Sequence, residues 1–343
     1  MRVAKSAGGG SIFRMINHSD FNSIISKENL LRAWQEFKRG KTKKDDVLVF
    51  EFNLEQNIFE LHRELKEKTY IPKPYQEFFV CDPKLRHIHK ASVGDRVVHQ
   101  ALYRKLYKVF DPQFIYDSYS CRNGKGTHKG VQRLSDFMRK LSKNNSQKIW
   151  YLKCDVTKFF DSIDHQLLKQ KIALKVKDEN TLWLCNRIID SFSKSTGKGL
   201  PLGNVTSQLF ANIYLHEFDH FMKHTLQTKY YVRYCDDFVI LNTDKKYLEK
   251  ITIDIQDFLL QKLGLHIHPE KIMLHKISQG IDFLGYVTFP SHKVIRTSTK
   301  KRMFRKLKKK PIESVLQSYV GITKHAYGNK VRRKLLKIYR ENK

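Results

Sequence analysis

Tyr234-Cys-Asp-Asp237 puts two adjacent carboxylates inside an apolar stretch, between Tyr230-Tyr-Val-Arg233 and Phe238-Val-Ile-Leu241. Two unpartnered charges buried there would cost several kcal/mol. A surface turn with both acids in water is therefore the competing reading. A third acid shifts the balance: Lys153-Cys-Asp155-Val-Thr-Lys-Phe-Phe160 ends a second apolar run. An acid at the end of one strand can converge with two in a neighbouring hairpin. Three converging carboxylates suit divalent cations such as Mg²⁺, which takes oxygen ligands. Two such ions activate a hydroxyl for attack and stabilise a departing pyrophosphate, the chemistry of nucleotidyl transfer.

The elements that must carry these acids follow from periodicity. Ile149–Val156 reads as a buried strand, with Asp164 capping the helix after it. Tyr230–Tyr234 and Phe238–Leu241 read as strands around a tight turn. Asn204–His224 reads as one long helix, Lys245–Leu263 as another ended by Gly264, and Phe283–Phe289 as a strand. Upstream, a flexible start leads to a helix near Lys27–Phe37 and a basic linker, Lys38–Lys44. Asn53–Lys68 follows as an amphipathic helix, with Leu54, Ile58, Leu61 and Leu65 on one face. Glu77–Cys81 and Arg86–His89 read as strands joined by a Pro-containing turn, and Asp95–Phe110 as a helix with Val98, Leu102, Leu106 and Val109 apolar. Strands and helices mix without a βαβ rhythm, which points to an α+β fold.

Charge restricts the partner. The 343 residues include 65 Lys+Arg against 34 Asp+Glu, a net +31. Such an excess fits a polyanion, because each neutralised phosphate releases counterions. From Lys293 to Lys343 there are 18 Lys/Arg and two acids, Glu313 and Glu341. Anionic membrane is the rival partner for that stretch, and the acid motifs favour nucleic acid instead. No apolar run is long enough to span a bilayer, and Met1–Gly10 lacks the apolar core of a signal peptide. A cytoplasmic location is expected. Five cysteines, at 81, 121, 154, 185 and 235, form no CxxC pair, which suits reduced thiols. Cys154 and Cys235 are expected to pack beside strands.

Tyr234-Cys-Asp-Asp237 resembles the YxDD box of reverse transcriptases, and the resemblance extends along most of the chain in the family's order. Arg86–Gln100, ending Asp95-Arg-Val-Val-His-Gln100, is similar to the fingers motifs. Tyr119-Ser-Cys-Arg-Asn-Gly-Lys-Gly-Thr-His128 is similar to the bacterial segment after them. Asp155–Phe160 resembles the first palm motif and Gly199-Leu-Pro-Leu-Gly-Asn-Val-Thr-Ser-Gln208 the next. Leu265-His-Ile-His-Pro-Glu-Lys271 and Gly280-Ile-Asp-Phe-Leu-Gly-Tyr286 resemble the last two.

The resemblance implies a right-hand polymerase of fingers, palm and thumb, the palm an antiparallel sheet backed by helices. Residues 1–44 are then an N-terminal extension, 45–148 fingers, 149–289 palm with an interleaved fingers segment, and 290–343 a small basic helical thumb. It implies two Mg²⁺ ions, with Mn²⁺ as a substitute, held by Asp155, Asp236, Asp237 and the Val156 carbonyl. Arg86, Lys90 and Arg96 would hold the incoming dNTP, although a single basic residue more often faces solvent. Phe160 would block a ribose 2′-OH, while Phe159 is expected in the core. Leu202, Gly203 and Gln208 would border the nascent pair, where glycine lets backbone approach closely. Lys271 is the candidate proton donor to pyrophosphate. In the thumb, Lys300, Lys301, Arg302, Arg305, Lys306 and Lys308 would track the template RNA and the RNA/cDNA duplex. Phe304 and Leu307 argue for a helix there rather than a disordered tail.

Two departures sharpen the subfamily. Most bacterial relatives carry Gln-Gly in the loop and Ser-Pro in the helix after it, whereas this chain has Leu202-Gly203 and Ser207-Gln208. That combination resembles the reverse transcriptases of diversity-generating retroelements, within a group II intron-like lineage of bacterial, archaeal or phage origin. It implies error-prone copying at template adenines and a small, basic, oligomeric accessory variability protein. The length after Tyr286 leaves room for a thumb but for no endonuclease domain. A retron or intron-type enzyme is the alternative reading. An RNA-binding assembly factor with a vestigial site is disfavoured by the three intact acids.

Overall fold

The computed structural model describes residues 20–81 and 85–343. The flexible start expected before Asp20, and the turn expected at 82–84, lie outside the described residues. The chain divides into two units. One comprises residues up to Phe78 with Ile88–Gln113 and His165–Ile213. The other comprises Phe79–His87, Phe114–Asp164 and Tyr214–Lys343.

Local signals start several helices of the first unit. Ser26 caps the helix Lys27–Lys38 by accepting from the Asn29 N–H, and Ser92 caps Val93–Phe110 by accepting from Asp95 N–H. These two helices pack on each other, and Leu30, Ala33, Trp34, Val97, Val98 and Leu102 on them are buried. The expected linker is residues 39–44, and after it comes a helix that the sequence reading did not include, Asp45–Phe52, before Leu54–Lys66. His165–Ala173 and Glu179–Asp190 complete the unit with most of Val205–Tyr214. Strands β1 (Gln76–Cys81) and β2 (Leu85–Lys90) pair with each other.

The second unit is built on an antiparallel sheet of order β4–β5–β3–β6, with β3 Trp150–Asp155, β4 Tyr231–Tyr234, β5 Asp237–Asn242 and β6 Met273–Lys276. Tyr151 faces Leu241, Lys153 faces Val239 and Asp155 faces Asp237. Alternation then fixes the two faces. Tyr151, Val232, Val239 and Leu241 join a core with Val131, Leu134 and Phe137 of the helix Thr127–Leu141. On the other face, Phe238 and Tyr231 meet Phe218 edge to face.

Two expected elements are corrected. The single helix Asn204–His224 is three pieces: Val205–Tyr214, His216–His220 and a π-helical turn, Phe221–Thr225. The break falls between Tyr214, whose hydroxyl donates to the Leu263 carbonyl, and Asp219, whose carboxylate is held by Tyr231 and Arg233. Those long-range bonds set the helix phase, and no local pattern encodes them. The strand expected at Phe283–Phe289 is a hairpin of β7 (Ile281–Phe283) and β8 (Tyr286–Thr288). Leu284 and Gly285 turn it with φ of 53° and 87°, the paired positive values of the tight turns that favour hairpins. Strand β9 (Lys293–Ile295) extends this sheet. Gly280 precedes it at φ 80°, where a Cβ would come within 2.7 Å of Val287 and Phe289.

The basic C-terminal segment is helical: Thr297–Lys309, Glu313–Thr323 and Asn329–Asn342. Met303, Leu307, Leu316, Val320 and Leu335 are buried in the same core as Tyr151, Phe283 and Tyr286. No helix among the described residues is long and apolar enough to cross a membrane.

Candidate active site

Tyr234 pairs directly with Asp237, so β4 and β5 are joined by the two residues Cys235 and Asp236. Cys235 takes φ 58°, a left-handed conformation that costs a non-glycine residue energy and persists only where its surroundings impose it. The turn projects Asp236 beyond the sheet end. Asp237 lies opposite Asp155 on the adjacent strand, and the Val156 N–H donates to the Asp236 carbonyl at 3.3 Å. The three acids expected to converge are therefore brought to one end of one sheet.

Their electrostatics favour an added cation. Lys271 Nζ lies 2.8 Å from Asp155 Oδ2, and Lys153 Nζ lies 3.4 Å from Asp237 Oδ2. Asp237 Oδ1 is buried with no hydrogen-bond partner. Burial, and next the neighbouring Asp155, raise the Asp236 carboxyl above its ordinary value. Burial likewise pushes Asp237 up to about 7, with Asp155 and Asp236 adding to the rise and Lys153 opposing it. Three carboxylates against two lysines, one oxygen orphaned, form an oxygen-rich site that fits hard divalent cations. Val156 bridges Ile267, and both ladder bonds come from the flanking residues: Thr157 N–H to His266 O and His268 N–H to Asp155 O.

Phe159 is buried, as expected of a core residue, whereas Phe160 is half-buried and meets it edge to face at 5.5 Å. Burial pushes the Cys154 thiol up to about 12, which suits packing and not nucleophilic chemistry. Cys235, at the corner of the turn, is half-buried as a residue, but burial pushes its thiol well above the ordinary value too, which likewise suits packing.

In the first unit, Lys90 and Arg96 converge on one acid. The Asp46 carboxylate accepts from Lys90 Nζ at 2.8 Å and Arg96 Nη2 at 2.6 Å. Burial raises the Asp46 carboxyl, but the two cations outweigh it and leave it below its ordinary value. Arg96 also stacks over the Phe37 ring, 4.7 Å from its centroid. Arg86 is exposed on β2 and makes no ion pair among the described residues. In the same unit the His89 N–H donates to the Leu202 carbonyl at 3.3 Å. Leu202 is half-buried, Gly203 and Gln208 are exposed, and Ser207 is buried. Gly203 takes φ 114°, where a Cβ would lie 3.4 Å from Ile88.

In the second unit, Lys301, Arg302, Arg305 and Lys306 line one groove of 670 Å³ together with Ser298, Lys309 and Cys81. Lys300 and Lys308 lie outside its lining.

Sequence reasoning missed Asp46, Asp219 and Arg233. Arg233 had a visible signal: a cation inside an apolar strand is rarely buried without a charged partner. Nothing local marked Asp219 or Asp46 as that kind of partner, since each is distant in sequence from the cations it holds.

The family model for reverse transcriptase (RNA-dependent DNA polymerase) matches residues 71–288. The group II intron-encoded protein LtrA of Lactococcus lactis subsp. cremoris is 23% identical, aligned over 78% of this chain and 55% of its own length. Protein YkfC of Escherichia coli K12 is also 23% identical, over 66% of this chain and 69% of its own. The chain thus spans about half the length of the first of these relatives. In structure, the telomerase from Candida albicans superposes with a TM-score of 0.51 at 14% identity, covering 80% of this chain and 58% of that one. That likeness concerns the fold, which is α+β and of the right-hand polymerase kind. Because the family match covers the whole span from the first fingers motif to the strand β8, the chain belongs to the reverse transcriptase family.

Proposed function

We propose that this protein is an RNA-directed DNA polymerase. The observation carrying this reading is the meeting of Asp155, Asp236 and Asp237 at one sheet end, with a buried carboxylate oxygen lacking a partner, inside a chain of this family. Asp155, Asp236, Asp237 and the Val156 carbonyl would hold two Mg²⁺ ions, and Mn²⁺ could replace them. Bound there, divalent ions supply activation of the primer hydroxyl and charge neutralisation on the pyrophosphate.

The remaining roles belong to the chain's own side chains. Lys271 holds Asp155 now and is the proton donor to pyrophosphate in this reading. Lys90 and Arg96, with Arg86 exposed nearby in sequence, take the dNTP phosphates. Phe160 excludes a 2′-OH. The grooved cations Lys301, Arg302, Arg305 and Lys306 grip backbone phosphates of an RNA/cDNA duplex, with Lys300 and Lys308 adding charge. The domain reading is 45–148 as fingers, 149–289 as palm and 290–343 as thumb.

The finer reading is a reverse transcriptase of a diversity-generating retroelement, making adenine-mutagenised cDNA with a small basic accessory protein. Its support is Leu202-Gly203 with Ser207-Gln208. An intron-type enzyme is the second reading, favoured by the intron-encoded relatives. The test is primer extension on a defined RNA template followed by cDNA sequencing. Extension with errors concentrated at template adenines is expected. Accurate cDNA would support the intron-type reading, and no extension with any divalent ion would overturn the polymerase reading.

A further inference from the structure

Behind the acid turn lies a charged pair with no solvent contact. Arg233 and Asp219 are both 0% exposed. Arg233 sits on β4 opposite Phe238, so its side chain leaves the sheet on the face away from Asp237. There its guanidinium makes a fork to one carboxylate: Nε donates to Asp219 Oδ1 at 2.7 Å and Nη2 to Oδ2 at 2.5 Å. Nη2 also donates to Ser118 Oγ at 3.1 Å, and the Tyr231 hydroxyl donates to Asp219 Oδ1 at 2.8 Å. The remaining arm reaches the turn itself, Nη1 donating to the Cys235 carbonyl at 3.0 Å.

A buried ion pair is a poor source of stability, since desolvation offsets most of its attraction and apolar residues of like volume often do as well. What this pair supplies is direction. The Cys235 carbonyl belongs to the peptide unit that leads into Asp236, and Cys235 is the strained corner of the turn. Arg233 Nη1 holds one end of the Cys235–Asp236 dipeptide, while Val156 N–H holds the Asp236 carbonyl at the other. The backbone of Arg233 is clamped as well: its N–H donates to the Asp117 carbonyl at 3.0 Å and its carbonyl accepts from Tyr119 N–H at 2.9 Å. Asp117 is fixed in turn by Arg133 at 2.7 Å and Lys223 at 3.5 Å.

We infer that Arg233, anchored by Asp219, is a positioning residue that holds the left-handed Cys235 corner and so aims the Asp236 carboxylate into the acid cluster. The inference rests on the polymerase reading for its kinetic consequence. Its structural content stands on the bonds above. A lysine at 233 keeps the charge against Asp219 but cannot serve Asp219, Ser118 and Cys235 from one ammonium in a planar fork.

The test compares wild type, Arg233→Lys, and the doubly neutral Arg233→Gln with Asp219→Asn, which leaves no buried unpaired charge. Each is measured for turnover, KM for dNTP, RNA/DNA duplex affinity, thermal midpoint, and Mn²⁺ binding by electron paramagnetic resonance without substrate. The expected result for a folded variant is turnover and Mn²⁺ affinity reduced about 10- to 100-fold, in the range of supporting-residue losses at metal sites. KM and duplex affinity should stay near wild type. Wild-type turnover and Mn²⁺ affinity in either folded variant would overturn the inference. If Arg233→Lys does not fold, the double variant decides it. If wild type itself extends no primer, the polymerase reading fails, and the Mn²⁺ measurement alone judges the positioning role.

Discussion

The acid turn of the second unit and the cation pair of the first are opposite solutions to charge. Asp155, Asp236 and Asp237 outnumber the lysines beside them, and one oxygen of Asp237 is buried without a partner. Lys90 and Arg96 share a single carboxylate, and Asp46 satisfies both. The acid cluster is therefore left with unmatched negative charge: burial, and next the neighbouring acids, raise Asp236 and Asp237. The cation pair is already complete, so under the proposed dNTP-binding role an incoming phosphate would have to displace or share Asp46. A frustrated site announces its ligand's charge; a satisfied one conceals it.

That contrast can be broken by substitution. Asp155→Ala and Asp236→Ala should each lower primer extension at least about a thousandfold, at about 1.4 kcal/mol per tenfold. The fold should be retained, since removing an acid relieves repulsion there. Near-normal extension with Mg²⁺ as the only metal would sink the assignment. Arg96→Ala should act less and differently. Loss of a charged hydrogen bond contributes about 1.5–3 kcal/mol, which should appear mainly as a higher KM for dNTP with turnover little changed. An unchanged KM would make Arg96 a structural partner of Asp46 and nothing more.

The smallest effect is expected in the loop beside β2. Leu202 has no side-chain donor or acceptor, whereas glutamine there could hydrogen-bond near the incoming nucleotide. Such a bond is worth roughly 0.5–1.5 kcal/mol, at most about tenfold in selectivity. Leu202→Gln should lower errors opposite adenine several-fold in sequenced cDNA, with other errors changing less. An unchanged spectrum in an active variant would reduce Leu202 to a packing residue.

Much of the four-stranded sheet of the second unit was legible in sequence because its signals are local. Strands β3, β4 and β5 follow from apolar runs, and the tight turn expected at Asp236 and Asp237 falls one residue earlier, at Cys235–Asp236, with Asp237 opening β5. Helix Lys245–Leu263 and its end at Gly264, φ 61°, agree with periodicity and the left-handed preference of glycine. Where the reading erred, distant bonds decided. Asn204–His224 carries a continuous apolar pattern, yet Leu263, Tyr231 and Arg233 hold Tyr214 and Asp219 and break the helix between them. The hairpin at Leu284–Gly285 was hidden because one glycine in an apolar run reads as strand until its partner strand is known.

The sequence by itself determined the chemistry: which acids, in which order, at the ends of which strands. Its charge, a net +31, pointed as well to a polyanionic partner. Only the tertiary structure decided which charges remain unsatisfied. Pairing depends on approach within about 4 Å, and residues 46, 90 and 96, or 219 and 233, reach that distance through folding. Spacing along a chain says nothing of it, because the partner that neutralises a charge is chosen by packing rather than by proximity in sequence.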